Sequence, residues 1–172
     1  MHIYVRHGHD QKSHRAKFDD RLSDEGKKKA RRRARKLIKK YGVPSVIYCS
    51  PMYRTRQTAK EFLKVIKKQQ VDGAPPPEIV IEPRLGRLFT TKQRRHYEKH
   101  TNRAVRKSTE NIVLDQGKLA FRQRVEAQVH SLPRDSVTWN VTHSLVILHA
   151  ARMHNIERAP HVKYLDTLII NQ

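Results

Sequence analysis

The chain has 172 residues, a length typical of one domain with its own hydrophobic core. Its 37 Lys and Arg against 16 Asp and Glu give a formal net charge of +21, which favours polyanionic partners such as phosphorylated metabolites, nucleic acid or acidic membrane surfaces. The single cysteine, Cys49, excludes an internal disulfide. No apolar run approaches the roughly 18 residues that a membrane span requires. A strand pattern begins at residue 2, so we expect no signal peptide and a cytoplasmic location, with a nuclear one left open.

In the first half of the chain, short apolar strands alternate with amphipathic helices. A strand over residues 2–5 is followed by a polar loop, and Ser23 is expected to cap a helix with an apolar stripe. Residues 27–36, KKKARRRARK, are typical of a nuclear localisation or nucleic-acid patch, but the intact stripe favours the solvated face of that helix. A second strand at 46–49 runs into Ser50-Pro51, predicted as the cap and first turn of a second helix. This order predicts a parallel α/β sheet.

The second half contains a long basic stretch between two better-defined regions. Residues 84–110 are rich in Arg and Lys and fit either short helices or a mobile flap, and the variable segment 84–116 is expected to cover the active site. The remaining predicted elements are a strand at 79–81, a helix at 121–132, a strand at 137–142, a helix at 144–154 and a strand at 164–170.

Four short motifs fall after strands or at adjoining helix starts. Arg6-His7-Gly8 follows the first strand, Leu22-Ser23-x-x-Gly26 opens the first helix, Arg54 opens the second, and His143 follows the fourth strand. Carboxyl ends of parallel strands share one sheet edge, so these side chains are expected to converge. Two guanidiniums suit phosphate oxygens, and an imidazole can attack phosphorus to give a phosphohistidine. The motifs therefore predict a site for phosphoryl transfer.

The same motifs resemble those of the histidine phosphatase superfamily, whose fold is called phosphoglycerate mutase-like. The matching stretches, in the family's order, are Arg6-His7-Gly8, Leu22-Ser23-x-x-Gly26, Ser50-Pro51-x-x-Arg54-x-x-Gln57-Thr58-Ala59 and Val141-Thr142-His143. The resemblance implies a single domain over residues 1–172, a three-layer α/β/α sandwich with a mostly parallel central sheet. It also implies that His7 is the nucleophile and that Arg6, Arg54 and His143 complete the phosphate pocket. The compact chain is similar in layout to the short bacterial phosphohistidine phosphatases.

Two departures from the family's pattern concern phosphate binding and the proton donor. The family often has a polar residue six positions after the histidine, and Ser13 stands there as a further candidate phosphate ligand. Many members have a Glu where this chain has Arg87, and an arginine cannot donate a proton at neutral pH. The candidate replacements are the carboxyl groups of Asp10 and Glu82, with Glu98 a third.

The leading hypothesis is a phosphoric monoester hydrolase acting on a phosphorylated substrate through a phosphohistidine on His7, with phosphatase rather than mutase activity. We expect no cofactor, and the histidines show no metal-ligand spacing with Cys or carboxylates. The alternative is a catalytically weak phosphatase-like domain that binds RNA or DNA through its basic surface, in which case affinity would fall steeply with salt. The sequence leaves the substrate and the oligomeric state open.

Overall fold

The computed structural model describes residues 1–11, 21–69, 75–86, 117–157 and 162–171. Within these ranges the chain forms five strands and four α-helices. In chain order the elements are β1 (His2–Arg6), α1 (Asp24–Tyr41), β2 (Val46–Cys49), α2 (Tyr53–Gln69), β3 (Glu78–Ile81), a short 3-10 turn (Pro83–Leu85), α3 (Lys118–His130), β4 (Thr138–Thr142), α4 (Ser144–Met153) and β5 (Thr167–Ile170).

The five strands form one mixed sheet in the order β3-β2-β4-β1-β5. The pairs β1–β4, β2–β4 and β2–β3 are parallel, and only β5 runs antiparallel, to β1. The predicted mostly parallel sheet is therefore confirmed. Arg6 pairs with Thr142, and Cys49 with Val141, so the carboxyl ends of the three central strands are nearly level.

Helices cover both faces of this sheet. Alternation along β1 puts Ile3 and Val5 against the core shared with α1 and α2, and puts Tyr4 against the core shared with α3 and α4. All three of these side chains are fully buried. The two cores account for the three-layer α/β/α architecture, which agrees with the predicted fold class.

Helix α1 confirms the interpretation of the KKKARRRARK stretch as one side of an amphipathic helix. The Ser23 hydroxyl accepts a hydrogen bond of 2.9 Å from the Gly26 N–H, which is the expected N-cap. Ala30, Ala34 and Leu37 are buried against the sheet. The Lys and Arg side chains between them fill partly or fully exposed positions, and so leave a strongly positive face toward solvent.

Two local predictions were wrong. Helix α2 begins at Tyr53, so Ser50 is not its cap. The last strand begins at Thr167 instead of residue 164, because the chain first makes a turn in which Leu165 has a φ of 63°. This turn is held by the Leu165 N–H, which donates to the Arg6 carbonyl.

Candidate active site

The register of β1 and β4 places His7 beside His143. Arg6 and Thr142 are opposite each other in the ladder, and the His7 N–H donates a 3.0 Å hydrogen bond to the Thr142 carbonyl. The next residue on each strand is then a histidine at the same level of the sheet edge. Their ring centroids are 5.3 Å apart in an edge-on arrangement, and both side chains are buried. The structure thus brings together the two histidines that the sequence predicts as partners.

The His7 ring is held in one tautomer. Its Nδ1 lies 2.9 Å from the Gly8 carbonyl oxygen, which can only accept, so Nδ1 carries the hydrogen and Nε2 has a free lone pair. Burial lowers the pKa of His7 from 6.5 to about 3, and the positive charges of Arg54 and Arg6 act in the same direction. His7 is therefore a neutral imidazole at neutral pH, with an unprotonated nitrogen available to an electrophile.

His143 is positioned by Ser50, which follows β2. The Ser50 hydroxyl lies 3.1 Å from His143 Nε2, and both groups are buried. Ser50 is itself fixed because its N–H donates to the Val141 carbonyl on β4. The serine of the Ser-Pro motif therefore orients the second histidine.

Arg54 lies in the first turn of α2, and its side chain is 5% exposed. Its Nη1 is 3.9 Å from a carboxylate oxygen of Asp10, which follows the Arg-His-Gly turn. The charges of both Arg54 and Asp10 act on His7, Arg54 lowering its pKa and Asp10 raising it. These three side chains thus share one electrostatic environment.

Arg6, at the end of β1, is held from two sides. Its Nη1 donates to the Val162 carbonyl, and its guanidinium carbon lies 4.3 Å from the centroid of the Tyr164 ring. Its Nε is buried and has no hydrogen-bond partner among the described residues. A buried cationic N–H without an acceptor is a feature that a bound anion would satisfy.

Three further motif residues, Gly8, Gln57 and Gly26, fix the loops that surround the two histidines. The Gly8 N–H donates to the Thr58 hydroxyl at 3.0 Å, which ties the Arg-His-Gly turn to α2. The Leu22 N–H donates to the Gln57 side-chain carbonyl at 2.7 Å. A Cβ on Gly26 would lie 2.1 Å from the His9 carbonyl oxygen, so only glycine lets α1 approach this loop.

Tyr164 is the site residue that the sequence analysis missed. Its ring centroid is 5.5 Å from that of His7 and 5.1 Å from that of His9, and its hydroxyl donates to Asp10 Oδ1 at 2.9 Å. Burial, then the hydrogen bond to Asp10, raises the pKa of Tyr164, so the phenol stays protonated. The sequence assigned it to a strand, and only the turn at Leu165 brings it to the site.

Glu82 follows β3 and is engaged by Arg84. Its carboxylate accepts from Arg84 Nε and the Arg84 N–H at 2.9 Å and from Nη2 at 2.7 Å. Burial acts to raise the pKa of Glu82, but the hydrogen bonds and charge of Arg84 outweigh it, and the net shift is downward. Glu82 is therefore ionised at neutral pH and bound on both oxygens.

Other predictions fall outside the part of the chain that the structure describes. Ser13, Arg87 and Glu98 are among these residues, as is the greater part of the 84–116 segment. Within the described ranges, no group of three or more His, Cys, Asp and Glu is arranged to hold a metal ion, and no helix is long and apolar enough to cross a bilayer.

Residues 3–160 match the sequence profile of the histidine phosphatase superfamily (branch 1). The chain belongs to this superfamily. No curated protein shows significant similarity to it in sequence.

Several solved structures resemble this histidine phosphatase superfamily member over most of its length. YhfR from Bacillus stearothermophilus is 17% identical with a TM-score of 0.63, covering 95% of this chain and 86% of its own. A phosphoserine phosphatase from Entamoeba histolytica, in complex with 3-phosphoglyceric acid, is 15% identical with a TM-score of 0.61. The match covers 96% of this chain and 87% of the phosphoserine phosphatase. A phosphoglycerate mutase from Bacillus anthracis is 15% identical with a TM-score of 0.57, and the match covers 88% of this chain and 78% of the mutase. At these identities the likeness establishes the phosphoglycerate mutase-like fold.

Proposed function

We propose that this protein is a phosphatase that hydrolyses phosphate monoesters through a phosphohistidine on Nε2 of His7. The observation that carries the proposal is the state of His7: Nδ1 is committed to the Gly8 carbonyl, and the lowered pKa keeps Nε2 unprotonated. A neutral imidazole is the nucleophilic form. Membership of the histidine phosphatase superfamily supports the same assignment.

In the first step, a bond forms between His7 Nε2 and phosphorus while the bond from phosphorus to the leaving oxygen breaks. Arg6 and Arg54 bind the non-bridging oxygens and offset the charge that develops on them. His143, oriented by Ser50, hydrogen-bonds the transferring group. The leaving oxygen takes a proton from the carboxyl group of Asp10 and departs as the alcohol.

In the second step, water attacks phosphorus and the bond from His7 to phosphorus breaks. The water loses a proton to the carboxylate that protonated the leaving alcohol, so the acid is restored. Inorganic phosphate leaves, and His7 returns as the neutral imidazole with Nδ1 still donating to Gly8. No cofactor takes part in this cycle as we propose it.

We assign the proton transfers to Asp10 rather than to Glu82. Asp10 is 3.9 Å from Arg54 and lies within the electrostatic environment of His7. Both oxygens of Glu82 accept hydrogen bonds from Arg84, so its carboxylate is committed to that arginine. In this proposal Asp10 carries a proton once the substrate phosphate is bound to Arg54, and it passes that proton to the leaving oxygen. Hydrolysis rather than mutase chemistry is proposed because Arg87 stands where mutases of the resembled family have a Glu.

Replacement of the nucleophile tests the proposal. His7→Gln should abolish hydrolysis of p-nitrophenyl phosphate, whose good leaving group makes the rate insensitive to the proton donor. His130→Ala is the matched control, because His130 is an exposed histidine at the end of α3. Turnover that survives His7→Gln undiminished would overturn the proposal.

The basic surface is assigned a supporting role. The exposed Lys and Arg side chains of α1 form a positive face, which would raise the local concentration of highly phosphorylated substrates. The alternative of a catalytically weak RNA- or DNA-binding domain rests on charge alone. It would be favoured by tight, salt-dependent RNA binding together with absence of turnover of any phosphate ester.

A further inference from the structure

A pocket of about 600 Å³ opens beside the phosphate site. Two of its lining residues, Arg6 and Tyr164, also belong to that site, so a phosphate held by Arg6 would have its ester group next to this space. Beyond them, the walls include Lys29 from α1, Leu145 and Leu148 from α4, and Lys163 from the turn before β5.

The described part of the lining is positively charged. Its charged residues are Arg6, Lys29 and Lys163, and it includes no Asp or Glu. Lys29 also pairs with Glu25, which is largely exposed on the same helix. Lys163 is an exposed residue of the pocket wall, and its backbone N–H donates to Asp166. Positive charge thus extends beyond what a single phosphate needs.

The pocket is also apolar on one side. Leu145 is 47% exposed and Tyr164 is 39% exposed, and both belong to a small set of large hydrophobic side chains that the described residues leave exposed. Both line this pocket together with Leu148 and the buried Val162. Exposed apolar side chains that gather in a concave site next to charged groups are typical of ligand contacts.

We propose that this pocket binds the organic part of the substrate, and that the preferred substrate is a phosphate monoester whose alcohol has an apolar body and a second anionic group. This inference rests on the proposed phosphatase function and specifies its substrate class. The phosphate occupies the site of Arg6 and Arg54, the apolar body packs on Leu145, and the second anion binds Lys163.

A matched pair of probes tests the charge contact: 4-carboxyphenyl phosphate and its neutral analogue 4-carbamoylphenyl phosphate. Calorimetric titration of the His7→Gln protein measures binding without turnover. We expect about fivefold tighter binding of the carboxylate probe, the effect of one partly exposed ion pair. When Lys163→Glu is added, the ratio of the affinity for the carboxylate probe to the affinity for the neutral probe should fall to about one or below. Adding Lys68→Glu should preserve it, because Lys68 is exposed in the last turn of α2, roughly 20 Å along the helix from Arg54.

The apolar contact has its own readout. Leu145→Asp should weaken both aryl probes several-fold more than it weakens methyl phosphate, which is too small to reach Leu145. The inference would be overturned if Lys163→Glu left the affinity ratio of the two aryl probes unchanged, or if Lys68→Glu changed it equally. In either case the preference for the carboxylate probe would not arise in this pocket. Because these titrations need no catalysis, survival of p-nitrophenyl phosphate turnover in His7→Gln would separately refute the proposed function.

Discussion

The hydroxyl of Tyr164 donates a 2.9 Å hydrogen bond to Asp10, although the two residues are 154 positions apart. The other Asp10 oxygen faces Arg54 at 3.9 Å. Asp10 is therefore fixed from two sides, by the turn before β5 and by the start of α2. These contacts hold the Asp10 carboxyl group beside Arg54, the position from which we propose that it exchanges protons with the leaving group and with water.

Asp10→Asn should slow alkyl phosphate hydrolysis far more than aryl phosphate hydrolysis. Asparagine keeps the acceptor for Tyr164 but cannot donate an acidic proton, so kcat for an alkyl ester should fall by about a hundredfold to ten-thousandfold. The rate with p-nitrophenyl phosphate should change by less than about tenfold, because that leaving group departs unprotonated. Steady-state kinetics on the two esters gives the comparison.

Tyr164→Phe is the control for that variant. It keeps the ring against Arg6 and removes only the hydrogen bond to Asp10, so its effect on the alkyl ester should be much smaller than that of Asp10→Asn. Equal losses on both esters in Asp10→Asn would instead mean that Asp10 maintains the structure of the loop.

The lowered pKa of His7 makes a prediction about stability. An unfolded His7 takes up a proton below about pH 6.5, whereas the folded imidazole stays neutral down to about pH 3. The unfolded state therefore binds more protons in this window, and the free energy of unfolding falls with decreasing pH, by at most about 1.4 kcal/mol per pH unit from this group. Above pH 6.5 the contribution of His7 is constant.

Urea unfolding at pH 7.0 and pH 5.5 measures this effect. The wild type should lose more stability between the two pH values than His7→Gln, whose side chain does not titrate. His130→Ala should behave like the wild type, since His130 is exposed. The same loss in His7→Gln as in the wild type would contradict the assignment of a neutral buried His7.

Gly26→Ala should destabilise the fold at the loop that follows His7. Its Cβ would lie 2.1 Å from the His9 carbonyl oxygen and 3.1 Å from the carbonyl carbon, and because these are backbone atoms they have little room to move away. We expect a loss of about 2–4 kcal/mol in the free energy of unfolding. Gly117→Ala is the matched control: no atom of the described residues lies closer than 3.9 Å to its added Cβ, its φ is −81°, and as the N-cap of α3 it should lose only about 1 kcal/mol. Chemical denaturation of the two variants should differ clearly, and equal stability would refute the close-packing role of Gly26.

The sequence was sufficient for the parts of the fold that local pattern and motif determine. The last strand residue before His143 was predicted correctly, and the end of β1 was predicted one residue early, at Val5 instead of Arg6; the shared sheet edge then accounts for the proximity of His7 and His143. The cap at Ser23 followed from residue type and helical periodicity. In each case neighbouring residues in the chain carried enough information.

Long-range contacts could not be predicted in the same way. Tyr164 reaches the site through a left-handed turn at Leu165, a conformation that nothing in the residue type favours. Ser50 looked like a helix cap, because a serine before a proline usually is one, and only the packing of β4 beside β2 gives its hydroxyl to His143. The hydrogen bonds from Arg84 to both oxygens of Glu82 were likewise not indicated by the order of residues in the chain.

Direct trapping of the intermediate tests the central claim. The protein should be mixed with a phosphate monoester labelled with ³²P, quenched in alkali after milliseconds to seconds, and digested for peptide mapping. We predict an acid-labile, alkali-stable label on the peptide that contains His7, at the Nε2 position, and no label in His7→Gln. Turnover without any such label, or a label on a different residue, would contradict the account.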